Sequence, residues 1–79
     1  METLMETLVQ NDFDLIEDSI DVAVYAKDLN SGESETYTFV MDEQEILHER
    51  YNKNGIQTFS EKVSAKNSLK VSLMVSTVK

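Results

Sequence analysis

The side chains able to do chemistry in this chain are mostly carboxylates. Fifteen Asp and Glu stand against seven Lys and Arg, a single His and no Cys. They crowd most at Asp12, Asp14, Glu17 and Asp18. A calcium loop would need Gly at its sixth position and Glu at its twelfth. Counted from Asp12, those positions hold Glu17 and Ala23, so the pattern fails and a solvated acidic stretch remains. The absence of Cys removes disulfides, thiolate nucleophiles and zinc–thiolate sites together. One His cannot form a His cluster. Carboxylate pairs of the glycosidase kind need a cleft, and a 79-residue chain has little room for one. His48 sits between Glu45 and Glu49 but has no Ser or Cys partner that would make it a general base. Neither Gly32 nor Gly55 has a second Gly at the spacing of a phosphate loop. The chain is therefore expected to be no enzyme, with no catalytic residue, cofactor or metal. Binding is the chemistry left to it.

Charge says what kind of binding. Residues 1–49 hold fourteen acids and one base, Lys27, whereas residues 50–79 hold one acid, Glu61, and six bases. An asymmetry of this kind marks interaction surfaces. The acidic part repels nucleic acid and attracts proteins with basic grooves. Lys62, Lys66 and Lys70 would oppose that charge as a nucleic-acid patch, and read better as a solvated face or as partners to acids of the same fold. No apolar run approaches the roughly 20 residues that span a bilayer. No Lys or Arg precedes a hydrophobic stretch at the N-terminus, so a secretory signal is not expected. A cytoplasmic protein without membrane or nucleic-acid partners is the resulting expectation.

Certain elements must position these carboxylates. Residues 1–8 repeat Met-Glu-Thr-Leu, and form either a frayed end or a short amphipathic helix with Leu4 and Leu8 four apart. Residues 10–19 are acidic around Phe13, Leu15 and Ile16 and read as an ordered lead-in. Residues 19–28 read as a strand with Ile20, Val22, Val24 and Ala26 on one face. A turn over LNSGES follows. Residues 35–41 then alternate Tyr37, Phe39 and Met41 against Thr36, Thr38 and Val40, which makes a hairpin. Asp42 as N-cap with Glu45 three residues on suggests a capping box. The spacing predicts a helix over 43–52, with Leu47 and Tyr51 four apart and Asn54-Gly55 ending it. Residues 56–66 fit either a helical turn or a loop. Residues 68–78 alternate Leu69, Val71, Leu73 and Val75 with Lys70, Ser72, Met74 and Ser76, a half-buried strand. The expected fold is α+β: one domain over 1–79, in β-β-α-β order, with a three-stranded antiparallel sheet and one helix packed on it. A sheet this small with an open edge invites a homodimer.

Carboxylates on alternate strand positions lie roughly 6.5–7 Å apart, near the phosphate spacing along one DNA strand. Duplex DNA carries one charge per about 1.7 Å of axis. A basic groove could accept such a surface in place of DNA, with exposed Tyr25, Tyr37 or Tyr51 adding apolar contact.

Residues 9–13 read VQNDF, and Asp18-Ser19 is followed by Asp21-Val22. In these segments the chain resembles the small dimeric uracil-DNA glycosylase inhibitors of Bacillus phages: the first looks like the start of that family's sequence and the second like its first strand. The likeness covers roughly residues 9–78, with order and pattern carrying it outside 9–22. Tyr51 matches a helix tyrosine of the family, and Leu47 stands where the family has phenylalanine. The family's functional glutamate on the second strand has no clear counterpart; Tyr37 falls near it, with Glu35 two positions earlier. The chain carries an insertion around residues 54–66. The resemblance implies a homodimeric DNA mimic that blocks the basic groove of uracil-DNA glycosylase in the host cytoplasm. It also implies that Leu47 and Tyr51 line a pocket for the side chain the enzyme pushes into DNA, with Glu35, Tyr37, Glu45 and Glu49 meeting the groove. Two rival expectations are a DNA mimic aimed at a restriction enzyme or CRISPR effector, and an acidic assembly protein whose charge serves solubility.

Overall fold

The computed structural model describes residues 2–64. It contains a helix, α1 (Glu2–Gln10), followed by five strands: β1 (Asp14–Asp18), β2 (Val22–Asp28), β3 (Ser34–Val40), β4 (Glu45–Tyr51) and β5 (Gln57–Ser64). The strands form one antiparallel sheet in chain order, β1-β2-β3-β4-β5. The strand expected over 68–78 lies outside the described residues.

The repeat at the N-terminus forms the helix. Leu4 and Leu8, one turn apart, are fully buried, and Met5 packs beside the core. The helix stops in a Schellman motif. The Phe13 amide donates to the Leu8 carbonyl at 2.9 Å and the Asp12 amide to the Val9 carbonyl at 3.1 Å. Asp12 adopts the left-handed conformation this needs, with φ 70°. The buried Asn11 side chain donates to the Thr7 carbonyl at 2.8 Å. Phe13 and Leu8, the two residues that this motif commonly brings into contact, both belong to the core.

The hairpins are built on turn chemistry. In the β2–β3 turn the Leu29 amide donates to the Glu33 carbonyl and the Gly32 amide to the Leu29 carbonyl, with Gly32 at φ 89°. The β4–β5 turn repeats this with Asn52, Ile56 and Gly55, the last at φ 81°. There the Asn52 side chain also accepts from the Asn54 and Ile56 amides. Both are three-residue loops with Gly in the left-handed position that bulges the hairpin.

The sheet corrects the expected α+β fold of three strands with a packed helix. Residues 43–52 do not form a helix: Glu45–Tyr51 is β4, central between β3 and β5. Asp42 and Glu43 lie in the turn from β3, where the Gln44 amide donates to the Met41 carbonyl at 3.3 Å and Gln44 has φ 52°. A spacing of four fits a helix face, but it also fits a strand face, where every second residue points the same way. Leu47 and Tyr51 satisfy both periods. Ile46, His48 and Arg50 alternate with them, and pairing with neighbouring strands decided for the sheet. Asn54-Gly55 is a hairpin signal, not a helix terminator. The acidic lead-in is β1, and the ambiguous 56–66 stretch supplies β5. Ile20, expected on a strand face, sits in the β1–β2 turn and is 91% exposed.

Candidate functional site

Strand parity divides the sheet into two faces. The face under α1 is ordered in rows across the strands. Ala23, Phe39, Ile46 and Val63 form an apolar row. Tyr25, Tyr37, His48 and Glu61 form the next, and Lys27, Glu35, Arg50 and Phe59 the last. The helix leucines belong to the apolar core, and polar groups gather at the far end.

There Glu35 is the hub. Its Oε2 accepts from Arg50 Nε at 2.9 Å and lies 2.8 Å from His48 Nε2. Burial by itself pushes the Glu35 carboxyl upward. The hydrogen bonds from His48 and Arg50, together with their charges, outweigh it and hold the group below the usual glutamate value. Tyr37 stacks on the His48 ring, centroids 4.2 Å apart and planes within 6°, and Phe59 meets that ring edge-on. Phe13 lies edge-on to Tyr37. Burial, then the charge of Glu35, pushes the Tyr37 phenol far up.

The opposite face carries different chemistry. Val22, Val24, Thr36, Thr38, Val40 and Leu47 make a half-buried centre. Around it stand Asp14 and Glu17 on β1, Asp28 on β2, and Glu45 and Glu49 on β4. Lys62 is the one Lys or Arg of this face among the described residues, with its Nζ 3.7 Å from Glu45. Tyr51 closes the β4 row. Its phenol is raised, first by desolvation and then by Glu49, whose charge and hydrogen bond act on it.

The residues singled out in the sequence therefore fall into two sets. Glu45, Leu47, Glu49 and Tyr51 share the outer side of β4. Glu35 and Tyr37 point to the other face, Glu35 tied to His48 and Arg50 and Tyr37 4% exposed in the core. Tyr25, expected to be exposed with Tyr37, is also buried. Sequence reasoning missed Asp14, Glu17 and Asp28 as members of the outer face. Reading 45–51 as a strand would have joined them to it, and the Asn-Gly pair was the available signal.

Among the described residues no group of three or more His, Asp or Glu could hold a metal ion, and no helix is long and apolar enough to cross a membrane. No family model matches the chain, and neither the curated proteins nor the solved structures contain a match to it.

Proposed function

We propose that this protein is a non-catalytic acidic binding protein that fills the basic DNA-binding groove of an enzyme in place of DNA. The observation that carries this reading is the outer sheet face, which among the described residues holds five carboxylates and a single lysine on five hydrogen-bonded strands. All fifteen acids of the chain lie within residues 2–64, against four of its seven bases, so the field around this fold favours a cationic partner. Neighbouring strands are roughly 4.8 Å apart and alternate positions roughly 6.5–7 Å, a mesh fine enough to replace phosphates. Thr36, Thr38 and Leu47 offer contact between the charges.

The likeness of VQNDF and the Asp18-Ser19, Asp21-Val22 segment makes uracil-DNA glycosylase the first target to try, in the host cytoplasm. The pocket expected around Leu47 and Tyr51 is not part of the proposal, because it required a helix where β4 runs. In its place Leu47 and Tyr51 supply apolar contact beside Glu45 and Glu49. A second copy of the chain would pair through another surface, since joining two outer faces sets carboxylates against carboxylates.

The test is a uracil-excision assay titrated with the purified protein. Stoichiometric inhibition is expected, weakened at least tenfold by the double reversal Glu45→Lys and Glu49→Lys. Inhibition should also fall with salt, as the screening length drops from about 10 Å at 0.1 M to about 3 Å at 1 M. Inhibition of a restriction enzyme or CRISPR effector instead would keep the mimicry and change the target. No inhibition of any groove-binding enzyme, with self-association indifferent to salt, would replace it with an assembly role.

A further inference from the structure

A second surface lies at the β1 edge of the sheet and on the inner face beside it, away from Glu45 and Glu49 on β4. Met5, Glu6, Val9 and Gln10 present one side of α1 to Tyr25 of β2 and leave an open groove of about 360 Å3. Its walls are mainly apolar. Val9 is 57% exposed, and Leu15, the register partner of Tyr25 on β1, is 46% exposed. Val9 lines the groove, and Leu15 stands beside its Tyr25 wall on the neighbouring strand.

β1 runs beside this groove as an edge strand. All five of its residues are exposed, and among the described residues no strand pairs with its far side. A bulge between Leu15 and Glu17 leaves Ile16 outside the ladder with β2. An unpaired edge can accept another extended chain, and short length, charge and a bulge limit which chain it accepts.

The charges of β1 forbid one occupant and favour another. Two copies pairing antiparallel about Ile16 would set Asp14 opposite Asp18, and like charges directly opposite are destabilising. Parallel in-register pairing would set each acid beside its own copy. A strand bearing Lys or Arg reverses the sign at Asp14, Glu17 and Asp18, and Glu6 stands at the groove rim. We propose that an extended basic segment of a partner protein docks along β1 and seats one aliphatic side chain against Met5, Val9 and Tyr25. This goes beyond the proposed function: Asp14 and Glu17 also belong to the outer face, but the groove between α1 and Tyr25 and the edge of β1 lie apart from Glu45 and Glu49 on β4, so this docking is tested separately from whichever enzyme the outer face meets.

The probe is an acetylated, amidated heptapeptide of alternating Lys and Val with Leu at its centre, titrated into the isotope-labelled full chain and followed by NMR. Saturable shifts are expected at residues 14–18 and at Met5 and Val9. Replacing the central Leu with Ser should weaken binding at least tenfold, and replacing the lysines with Glu should abolish it. Val9→Lys, at an exposed helix position, should also weaken it at least tenfold while the spectrum keeps its dispersion. Glu45→Lys with Glu49→Lys should leave this binding within twofold, even if it ends inhibition in the excision assay. Shifts confined to β4 and β5, equal binding of the Ser peptide, or no saturable binding would each overturn the proposal. Concentration-dependent self-association mapped to β1 would overturn it in favour of a second copy.

Discussion

The inner and outer faces of the sheet come from the same alternating strands, yet they are put to different uses. On the inner face, side chains find their partners within the chain. Leu4, Leu8, Phe39 and Ile46 are fully buried, and the carboxylate of Glu35 is held by His48 and Arg50. On the outer face, Asp14, Glu17 and Asp28 are exposed and point to solvent. A carboxylate already paired inside the fold has little left to offer a partner. One that is exposed and unneutralised costs the fold little and keeps its charge for an encounter. Burial and pairing, more than residue type, separate structural acids from binding acids here: Glu35 is held inside the fold, whereas Asp14, Glu17 and Asp28 are left to solvent.

Substitutions can sharpen or break this contrast. The largest difference should come from apolar truncations. Phe39→Ala, at a fully buried site, should cost roughly 3–5 kcal/mol of unfolding free energy, measured by urea denaturation. Leu47→Ala, half-buried on the outer face, should cost no more than about 1.5 kcal/mol. Equal losses would mean that the outer face is covered in the folded protein and unavailable to a partner.

A smaller contrast should separate two glutamates. Glu35→Ala removes the shared acceptor of His48 and Arg50 and should cost about 1–3 kcal/mol, towards the low end because Arg50 is 43% exposed. Glu49→Ala should stay within about 0.5 kcal/mol. The pH dependence follows from the sign of the Glu35 shift. Its folded value is depressed, so its contribution is fully present above the usual glutamate value of about 4.3. It is lost as pH falls through the lower folded value. Urea midpoints at pH 7 and pH 3 should therefore draw apart in the native chain and move closer in Glu35→Gln.

The smallest effect on folding should come from Glu45→Lys with Glu49→Lys, whose thermal midpoint should change by only a few degrees while partner binding changes at least tenfold. A large loss of stability would show that the outer carboxylates also serve the fold, and would erase the contrast between the faces.

Much of the architecture was legible wherever local chemistry and pairing agreed. The alternation at 19–28 and 35–41 and the LNSGES turn marked a hairpin, found as β2 and β3. The repeated Met-Glu-Thr-Leu allowed a helix with Leu4 and Leu8 inward. Legibility failed at 43–52, where Asp42 and Glu45 mimic a helix start and Leu47 and Tyr51 fit both periods. It failed again at 56–66, where β5 has one partner strand among the described residues and is mostly exposed, so burial leaves little periodic trace. Of the residues chosen for the site, the pairs Glu45–Glu49 and Leu47–Tyr51 each keep to one face in helix or strand, and the two-residue period of β4 joined them on the same face.

By itself the sequence determined the acidity, its concentration before residue 50, the lack of thiols, and which residues could be apolar. These are properties of composition and order along the chain, and folding does not alter them. Tertiary structure alone decided that residues 45–51 pair with 34–40 and 57–64. That pairing sent Glu35 inward to His48 and Arg50 and set Glu45 and Glu49 on the same surface as Asp14, Glu17 and Asp28. The reason is physical: a strand has no internal backbone hydrogen bonds, so its existence and the face each side chain takes depend on neighbours distant in sequence.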